Sequence, residues 1–541
     1  MTTDTIRKKI NLYSNRAERS CFQEGTLFME LLIKALAELP MQFFLVWTWM
    51  MDHLLYINLF LSVVIVFFQR RDPKAVWTWL LALYFVPIFG FLLYLLLCQD
   101  YRKNKMFRVK EVEDRLRYSI QTQENIVSSR DIWLKDPKYR EYEKLVLYNL
   151  ETSGAVLTGN NQVDIFTDGE KKFRDLAWEM EHAQDYIHIQ YYIIKNDELF
   201  QGLIPILKKK ASQGVEVRIL YDGMGGRFMP ERIWKDLRAS GVLVGEFFPA
   251  FLGRLQLRVN YRNHRKIVVI DGKVGYVGGF NIGREYISRD PKFGYWRDTH
   301  LKIQGSAVYS LQIRFALDWN YAVKENLFKN GGYFGLDESF DEKACSSDPL
   351  RDISGEDKTL AQVQIISSGP DASNRQIRNN YLQLFNNAKK HIYIQTPYFV
   401  PDDAVLSSLK MAAESGVDVR LMIPCKPDHP FVYWASYSYV GDLLAVGARC
   451  YTYENGFLHA KGVMADSLVS CYGTANMDIR SFELNFEVNA TIFDAEITCR
   501  LEKAFLEDLK QCREITKERY ESRTMWIRMK EQCSRLLSPL L

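Results

Sequence analysis

The sequence has no C-x-x-C pair, and its nine cysteines are scattered from Cys21 to Cys533 and odd in number. That excludes a dense disulfide framework and the usual zinc ribbons, and fits a reducing compartment. Charge of one sign is also missing: 70 Lys+Arg stand against 66 Asp+Glu, a net charge of +4. A dedicated polyanion binder would carry a larger excess, so nucleic acid is not an expected partner. No carboxylates cluster in the usual metal-site patterns, so neither a metal nor another cofactor is expected. What is present is apolar and aromatic: 47% hydrophobic and 13% aromatic residues in 541. These fractions argue against disorder, and the length leaves room for roughly three or four domains.

The aromatics concentrate near the N-terminus. Ala75 to Cys98 is a run of 24 residues without a formal charge. A helix of that length crosses a hydrocarbon core of about 30 Å. A second run, Phe43 to Phe68, is interrupted by Asp52 and His53. The expectation is a transmembrane hairpin over 43–99, with spans at about 48–68 and 75–98, after an unassigned segment 1–42. Three positives lie in the short loop Gln69–Lys74 and seven in the 20 residues after Cys98. The positive-inside rule puts everything after residue 100 in the cytoplasm, making this a multi-pass protein of the cell membrane.

From about residue 150 the chain repeats itself. DYIHIQYYII (Asp185 to Ile194) and HIYIQTPYFVP (His391 to Pro401) are short apolar, β-branched and aromatic runs, read as buried strands. Each leads into a helical pattern closed by glycine and then into a second strand, Val215 to Asp222 and Val417 to Pro424. Strand, helix, strand is a βαβ unit, so the fold class is α/β: two duplicated domains, each a mostly parallel sheet flanked by helices. The expected boundaries are a basic connector at 100–149, the first domain at 150–335, a linker at 336–357, the second domain at 358–515 and a basic amphipathic tail at 516–541.

The repeat carries a motif. NHRKIVVIDGKVGYVGGFNIG holds His264, Lys266, Asp271 and Asn281; LHAKGVMADSLVSCYGTANMD holds His459, Lys461, Asp466 and Asn476. Both fit H-x-K-x4-D with Asn ten residues later. On a strand, i and i+2 share a face, which points His and Lys of each copy into one cleft. The aspartates have the opposite parity and are expected to hold a local turn, although they belong to the catalytic motif. Such a cleft suits attack on a phosphodiester: one neutral imidazole as nucleophile, a second as proton carrier, and two lysines and two amides on the phosphoryl oxygens. Asp298 and Glu487 each follow the Asn of their copy, and either could accept the ring N–H of its histidine.

These motifs resemble the phospholipase D superfamily. Within it, the segments QRRDPKAVWTWLLALYFVPIFGFLLYLLL, YRNHRKIVVIDGKVGYVGGFNIGREY, WRDTHLKIQGSAVYSLQIRFALDW and SRLLSPLL resemble the bacterial cardiolipin synthases. The resemblance implies two phospholipase D-like domains. It also implies a membrane-bound phosphatidyltransferase that condenses two phosphatidylglycerols into cardiolipin and glycerol through a phosphatidyl-histidine. It implies His264 and His459 as the catalytic histidines, Lys266, Lys461, Asn281 and Asn476 as phosphate ligands, and Asp298 and Glu487 as histidine-orienting groups. One departure is visible: where the first copy has Gly278 and Gly279, the second has Gly473 and Thr474. A hydrolytic phospholipase, a metal-independent nuclease and a catalytically dead lipid-binding scaffold are the alternative readings.

Other features are read more plainly. The glycines of DGMGGR (Gly223, Gly225, Gly226) lack a Walker lysine and read as a flexible loop. His188 and His391 read as core histidines, and Tyr191, Tyr192 and Tyr398 as core packing. The tail from Cys512 to Leu541 reads equally as a helix on a membrane or a solvated terminal helix.

Overall fold

The computed structural model describes residues 48–49, 52–68, 73–85, 137–249, 261–334, 360–372 and 374–538. The chain divides into two compact units, Met1–Tyr94 and Leu95–Leu541. In the first, α1 (Leu54–Phe68) and α2 (Pro73–Phe85) are joined by Asn58 Nδ2 donating to Leu83 O at 3.4 Å. At 1.5 Å per residue their described parts are about 22 and 20 Å long. Among the described residues no helix is long and apolar enough to cross a membrane. The expected spans at 48–68 and 75–98 are thus not shown. Residues 86–98, segment 1–42, most of the connector and the linker at 336–357 lie outside the described residues.

In the second unit the first described α-helix is α3 (Glu143–Ser153), which Gly154 ends in a left-handed conformation at φ 62. Then follow β1 (Leu157–Phe166), α4 (Gly169–His182), β2 (Tyr186–Tyr191), α5 (Glu198–Ser212), β3 (Glu216–Asp222), α6 (Glu231–Ala239) and β4 (Leu243–Phe247). The lobe continues with β5 (Arg262–Asn263), β6 (Ile267–Ile270), β7 (Val274–Gly278), β8 (Trp296–Arg297), β9 (His300–Gln304) and α7 (Ala307–Val323). The second lobe repeats this plan with β10 (Ala361–Ser368), α8 (Gln376–Asn387), β11 (His391–Gln395), β12 (Phe399–Val400), α9 (Asp403–Glu414), β13 (Asp418–Pro424) and α10 (Pro430–Leu444). It closes with β14 (Arg449–Tyr453), β15 (Phe457–Leu458), β16 (Gly462–Ala465), β17 (Val469–Gly473), β18 (Met477–Asp478), α11 (Ile479–Glu483), β19 (Asn485–Phe493), α12 (Ala495–Leu509), β20 (Cys512–Glu514), α13 (Lys517–Glu521) and α14 (Met525–Leu536). Aspartates cap several of the helices that follow strands: Asp168, Asp197, Asp402 and Asp494 each accept a first-turn N–H.

The main sheet runs in the order β20-β14-β13-β11-β16-β17-β19-β10-β1-β9-β7-β6-β2-β3-β4, with β5 paired to β19 off this path, while β12·β18 and β15·β8 form separate two-stranded sheets. The lobes meet where β1 and β10 pair antiparallel, Thr158 opposite Val363, so the order runs outward through equivalent strands on both sides. The expectation of mostly parallel sheets is corrected here: the sheet is mixed. Each lobe has two parallel pairs, β2·β3 and β3·β4 or β11·β13 and β13·β14. The pairs β2·β6, β6·β7 and β7·β9, like β11·β16, β16·β17 and β17·β19, are antiparallel. The reason is the turn inside the motif. Asp271 and Gly272 have φ of 52 and 64, Asp466 and Ser467 of 57 and 56. Two left-handed residues in succession make the hairpin turn whose twist matches antiparallel strands.

A buried cluster joins the lobes, with Val163, Leu301 and Phe315 of one packed among Val363, Phe486 and Ile492 of the other. Each such side chain contributes about 1.5–3 kcal/mol on burial. The two halves of the cleft are therefore held as one body.

Candidate active site

Two short parallel strand pairs cross between the lobes. In one, β5 lies beside the start of β19, Arg262 opposite Asn485 and Asn263 opposite Phe486. In the other, β15 lies beside β8, Phe457 opposite Trp296 and Leu458 opposite Arg297. Each pair delivers a histidine: His264 N donates to Phe486 O at 2.9 Å, and His459 N to Arg297 O at 2.7 Å. The next residue on each facing strand is an acid. His264 Nδ1 lies 2.9 Å from Glu487 Oε1, and His459 Nδ1 lies 2.6 Å from Asp298 Oδ2. Each carboxylate thus serves the histidine of the opposite copy, not of its own as the sequence reading had it, because the approach strands cross before the motifs begin. Glu487 holds the His264 ring at Nδ1; at His459 the Nδ1 faces both Asp298 and Lys461 Nζ, the latter 2.8 Å away, and neither Nε2 is hydrogen-bonded to a described residue.

The glycine-to-threonine departure has a local cause. A Cβ on Gly279 would stand 1.9 Å from Asp298 Oδ1, so that carboxylate occupies the space a side chain would take. At the equivalent position Thr474 Oγ1 donates to Glu487 Oε2 at 2.6 Å, and Asn485 Nδ2 donates to Oε1 at 3.2 Å. Replacing Thr474 by Val should release one oxygen of Glu487 and lower turnover roughly tenfold at unchanged fold, since outer-shell partners of this kind carry 10–100-fold effects. Steady-state kinetics beside a thermal melt checks this.

The motif lysines lie in the extended links between β5 and β6 and between β15 and β16. Both are buried, and each donates Nζ to the carbonyl of its own motif histidine, 2.7 Å for Lys266 and 2.5 Å for Lys461. Burial lowers Lys266 to about 7 and Lys461 to about 8, against the pull of Glu487 and Asp298. Burial also lowers both histidines, His459 to about 4 with help from Lys461, which favours the neutral rings near pH 7. For the acids burial works upward, but the adjoining lysines and histidines win and hold Asp298 and Glu487 below the usual carboxylate range. Tyr192 packs 5.0 Å from the His264 ring, and Trp296 5.0 Å from the His459 ring.

The asparagines differ. Asn281 Oδ1 accepts from Ile193 N at 3.1 Å while Nδ2 donates to the Tyr286 hydroxyl at 3.1 Å. Asn476 is buried, and its Oδ1 has no hydrogen-bond partner. Asp271 and Asp466 stand at the far ends of β6 and β16, away from the histidines. Asp271 accepts the N–H groups of Gln184, Asp185 and Tyr186, and Asp466 those of Lys389, Lys390 and His391. They tie the motif hairpin to the entry of β2 and β11. His188 is buried between Gln312 and Glu216, and His391 pairs with Glu502 at 2.7 Å. The DGMGGR loop packs under Tyr192, whose carbonyl would be 1.8 Å from a Cβ on Gly225. No group of three or more His, Cys, Asp or Glu among the described residues is placed to hold a metal.

Sequence reasoning passed over Arg265, the variable residue of the first H-x-K. Its guanidinium points opposite to its neighbours and reaches both oxygens of buried Asp318 at 2.5 and 2.7 Å, the Ser367 hydroxyl at 2.7 Å and the Glu487 carbonyl at 3.1 Å. It ties the His264 link to the strand carrying Glu487. Replacing Arg265 by Met removes the ion-pair partner of buried Asp318, which should cost about 3–5 kcal/mol in denaturant unfolding.

Two stretches, 176–292 and 381–509, match the family described as cardiolipin synthase, phospholipase D-like domain; 57–97 matches the phospholipase D-nuclease N-terminal family. The "Cardiolipin synthase" of Listeria innocua is 45% identical over 490 residues, 90% of this chain and 98% of that protein. The chain belongs to the cardiolipin synthase family. The "Major cardiolipin synthase" of Bacillus subtilis is 45% identical, covering 90% of this chain and 97% of its own, and a "Cardiolipin synthase" of Staphylococcus aureus is 46% identical, covering 90% and 95%. Membership makes this chain an enzyme of the phosphatidyltransferase class. The crystal structure of a phosphatidylserine synthase from Haemophilus influenzae shares the fold at a TM-score of 0.56 and 13% identity, covering 75% of this chain and all of that one.

Proposed function

We propose that this family member condenses two phosphatidylglycerols into cardiolipin and glycerol in the cleft between the lobes. The observation that carries the mechanism is the pair of histidines, each held at Nδ1 by an acid of the opposite lobe. His264 Nε2 attacks phosphorus, the bond to the headgroup oxygen breaks, and His459 gives that oxygen a proton as glycerol leaves. His459 then takes the proton of a second phosphatidylglycerol hydroxyl, whose oxygen attacks phosphorus and breaks the bond to His264. Lys266 and Lys461 hold the non-bridging oxygens, joined by Asn281 and Asn476. The negative charge of the bound phosphodiester raises His459, which lets it carry the proton given to the leaving oxygen. Membranes bearing the protein, given labelled phosphatidylglycerol, should yield cardiolipin and glycerol. Phosphatidic acid instead would mark a hydrolase, and no turnover would sink both.

The two lysines supply a pH test. Tungstate, a dianion across this range, stabilises their charged forms, so its binding should draw in protons between pH 7 and 9 and weaken as pH rises through that window. Calorimetry in buffers of different ionisation heat measures the uptake. Flat affinity or proton release would remove the lysines from the anion site.

The proposed setting is the cell membrane, with spans at about 48–68 and 75–98 and the lobes, at about 150–335 and 358–515, on the cytoplasmic side. The uncharged run Ala75 to Cys98 supports this. A reporter fused after Lys110 should be inaccessible from outside intact cells; labelling from outside would reverse the orientation.

A further inference from the structure

An ordinary surface helix turns its apolar stripe inward and its charges to water. Helix α14 does the reverse. Its polar residues face the second lobe: Glu531 and Ser534 are buried, Arg523 Nη2 donates to Glu531 at 3.0 Å, and Arg535 donates to Asp442 on α10 at 2.6 Å. Just past its end the Ser538 hydroxyl lies 3.2 Å from that of Tyr439. The outward side is apolar: Met525 is 76% exposed, Trp526 64%, Met529 49%, Leu536 59% and Leu537 37%, with exposed Cys533 among them. At 100° per residue these six fall within an arc of about 120°. Arg528 and Lys530 stand exposed on either side of the stripe, Lys530 Nζ lying 5.8 Å from the Trp526 ring.

We propose that α14 lies, apolar face down, in the surface of an anionic phospholipid bilayer. Twelve residues span about 18 Å, too short to cross, so the helix lies in the plane of the interface. Charge complementarity selects the occupant. A stripe of Met, Trp and Leu edged by Arg528 and Lys530 matches an acyl boundary under anionic headgroups, whereas a second copy of the helix would bring the same positive edges together. On the reading given above the substrate is itself an anionic lipid, and α14 would hold the cleft at the surface that contains it. The Arg535–Asp442 ion pair and the Tyr439–Ser538 contact fix the helix to α10, so the stripe faces the membrane without an order–disorder step.

Cys533 gives the test a handle. The full-length chain, with Cys21, Cys98, Cys345, Cys425, Cys499 and Cys512 replaced by Ser, is spin-labelled at Cys533 and reconstituted in phosphatidylglycerol–phosphatidylcholine vesicles, an unchanged thermal melt confirming the fold. The expected result is stronger relaxation by lipid-dissolved oxygen than by a water-soluble nickel chelate. Dominant relaxation by nickel, spin–spin broadening from a second copy, or shielding from both reagents by the rest of the chain would each overturn the proposal. A second measurement uses Met529→Glu/Leu536→Glu. The KM for lipid in vesicles should rise about tenfold at unchanged kcat, while kinetics on dispersed short-chain lipid stay the same. Equal losses on both substrates would mean a structural role. The label readout does not depend on turnover, so it stands even if the transferase reading fails.

Discussion

Replacing His264 or His459 by Ala should lower phosphatidylglycerol turnover by at least about a thousandfold, because each removes a whole role from a two-step exchange. Neither His188 nor His391 can substitute: they are engaged with Glu216 and Glu502 on other strands, away from the motif links. The two variants should differ in what they accumulate. With His459 disabled and a substrate whose headgroup leaves without help, labelled lipid should collect covalently on His264. Label on His459 in the His264 variant would reverse the assignment of nucleophile and acid. Substantial steady-state activity in either single variant would overturn the shared-site mechanism.

The crossed acids give the second large effect. Glu487→Gln and Asp298→Asn keep the shape but cannot hold the Nδ1–H tautomer in the same way, and should each cost roughly 10²–10⁴-fold in kcat. The crossing predicts how the losses divide. Glu487→Gln should suppress formation of label on His264, since its carboxylate lies 2.9 Å from that ring. Asp298→Asn should instead slow headgroup departure and acceptor activation, both assigned to His459, 2.6 Å away. Were each acid serving its own copy, the two phenotypes would be exchanged. Rapid-quench measurement of intermediate formation against its discharge distinguishes the patterns.

Much of this architecture is legible along the chain. The 200-residue repeat, the βαβ units and the H-x-K pairs are local patterns, and local periodicity fixes which side chains share a face. The parity of Asp271 and Asp466 already set them apart from the cleft, and the structure puts them on backbone N–H groups where β2 and β11 begin. The antiparallel half of the sheet was partly readable: Asp271-Gly272 between two apolar runs is a strong hairpin signal, whereas Asp466-Ser467 is a weak one.

What only the tertiary structure decided lies in pairings across some two hundred residues. Asn263 beside Phe486 and Leu458 beside Arg297 bring each histidine to the other copy's acid, and no local pattern specifies the partner of a two-residue strand. The same holds for Arg265, whose partner Asp318 sits 53 positions away, and for Thr474, whose meaning depends on Glu487 arriving beside it. Helix α14 makes the point from the other side. The sequence determines that it is amphipathic, but which face meets water is set by Asp442 and Tyr439, charged and polar groups on a distant helix that draw its polar side inward. Sequence periodicity encodes faces; contacts between remote segments decide what each face meets.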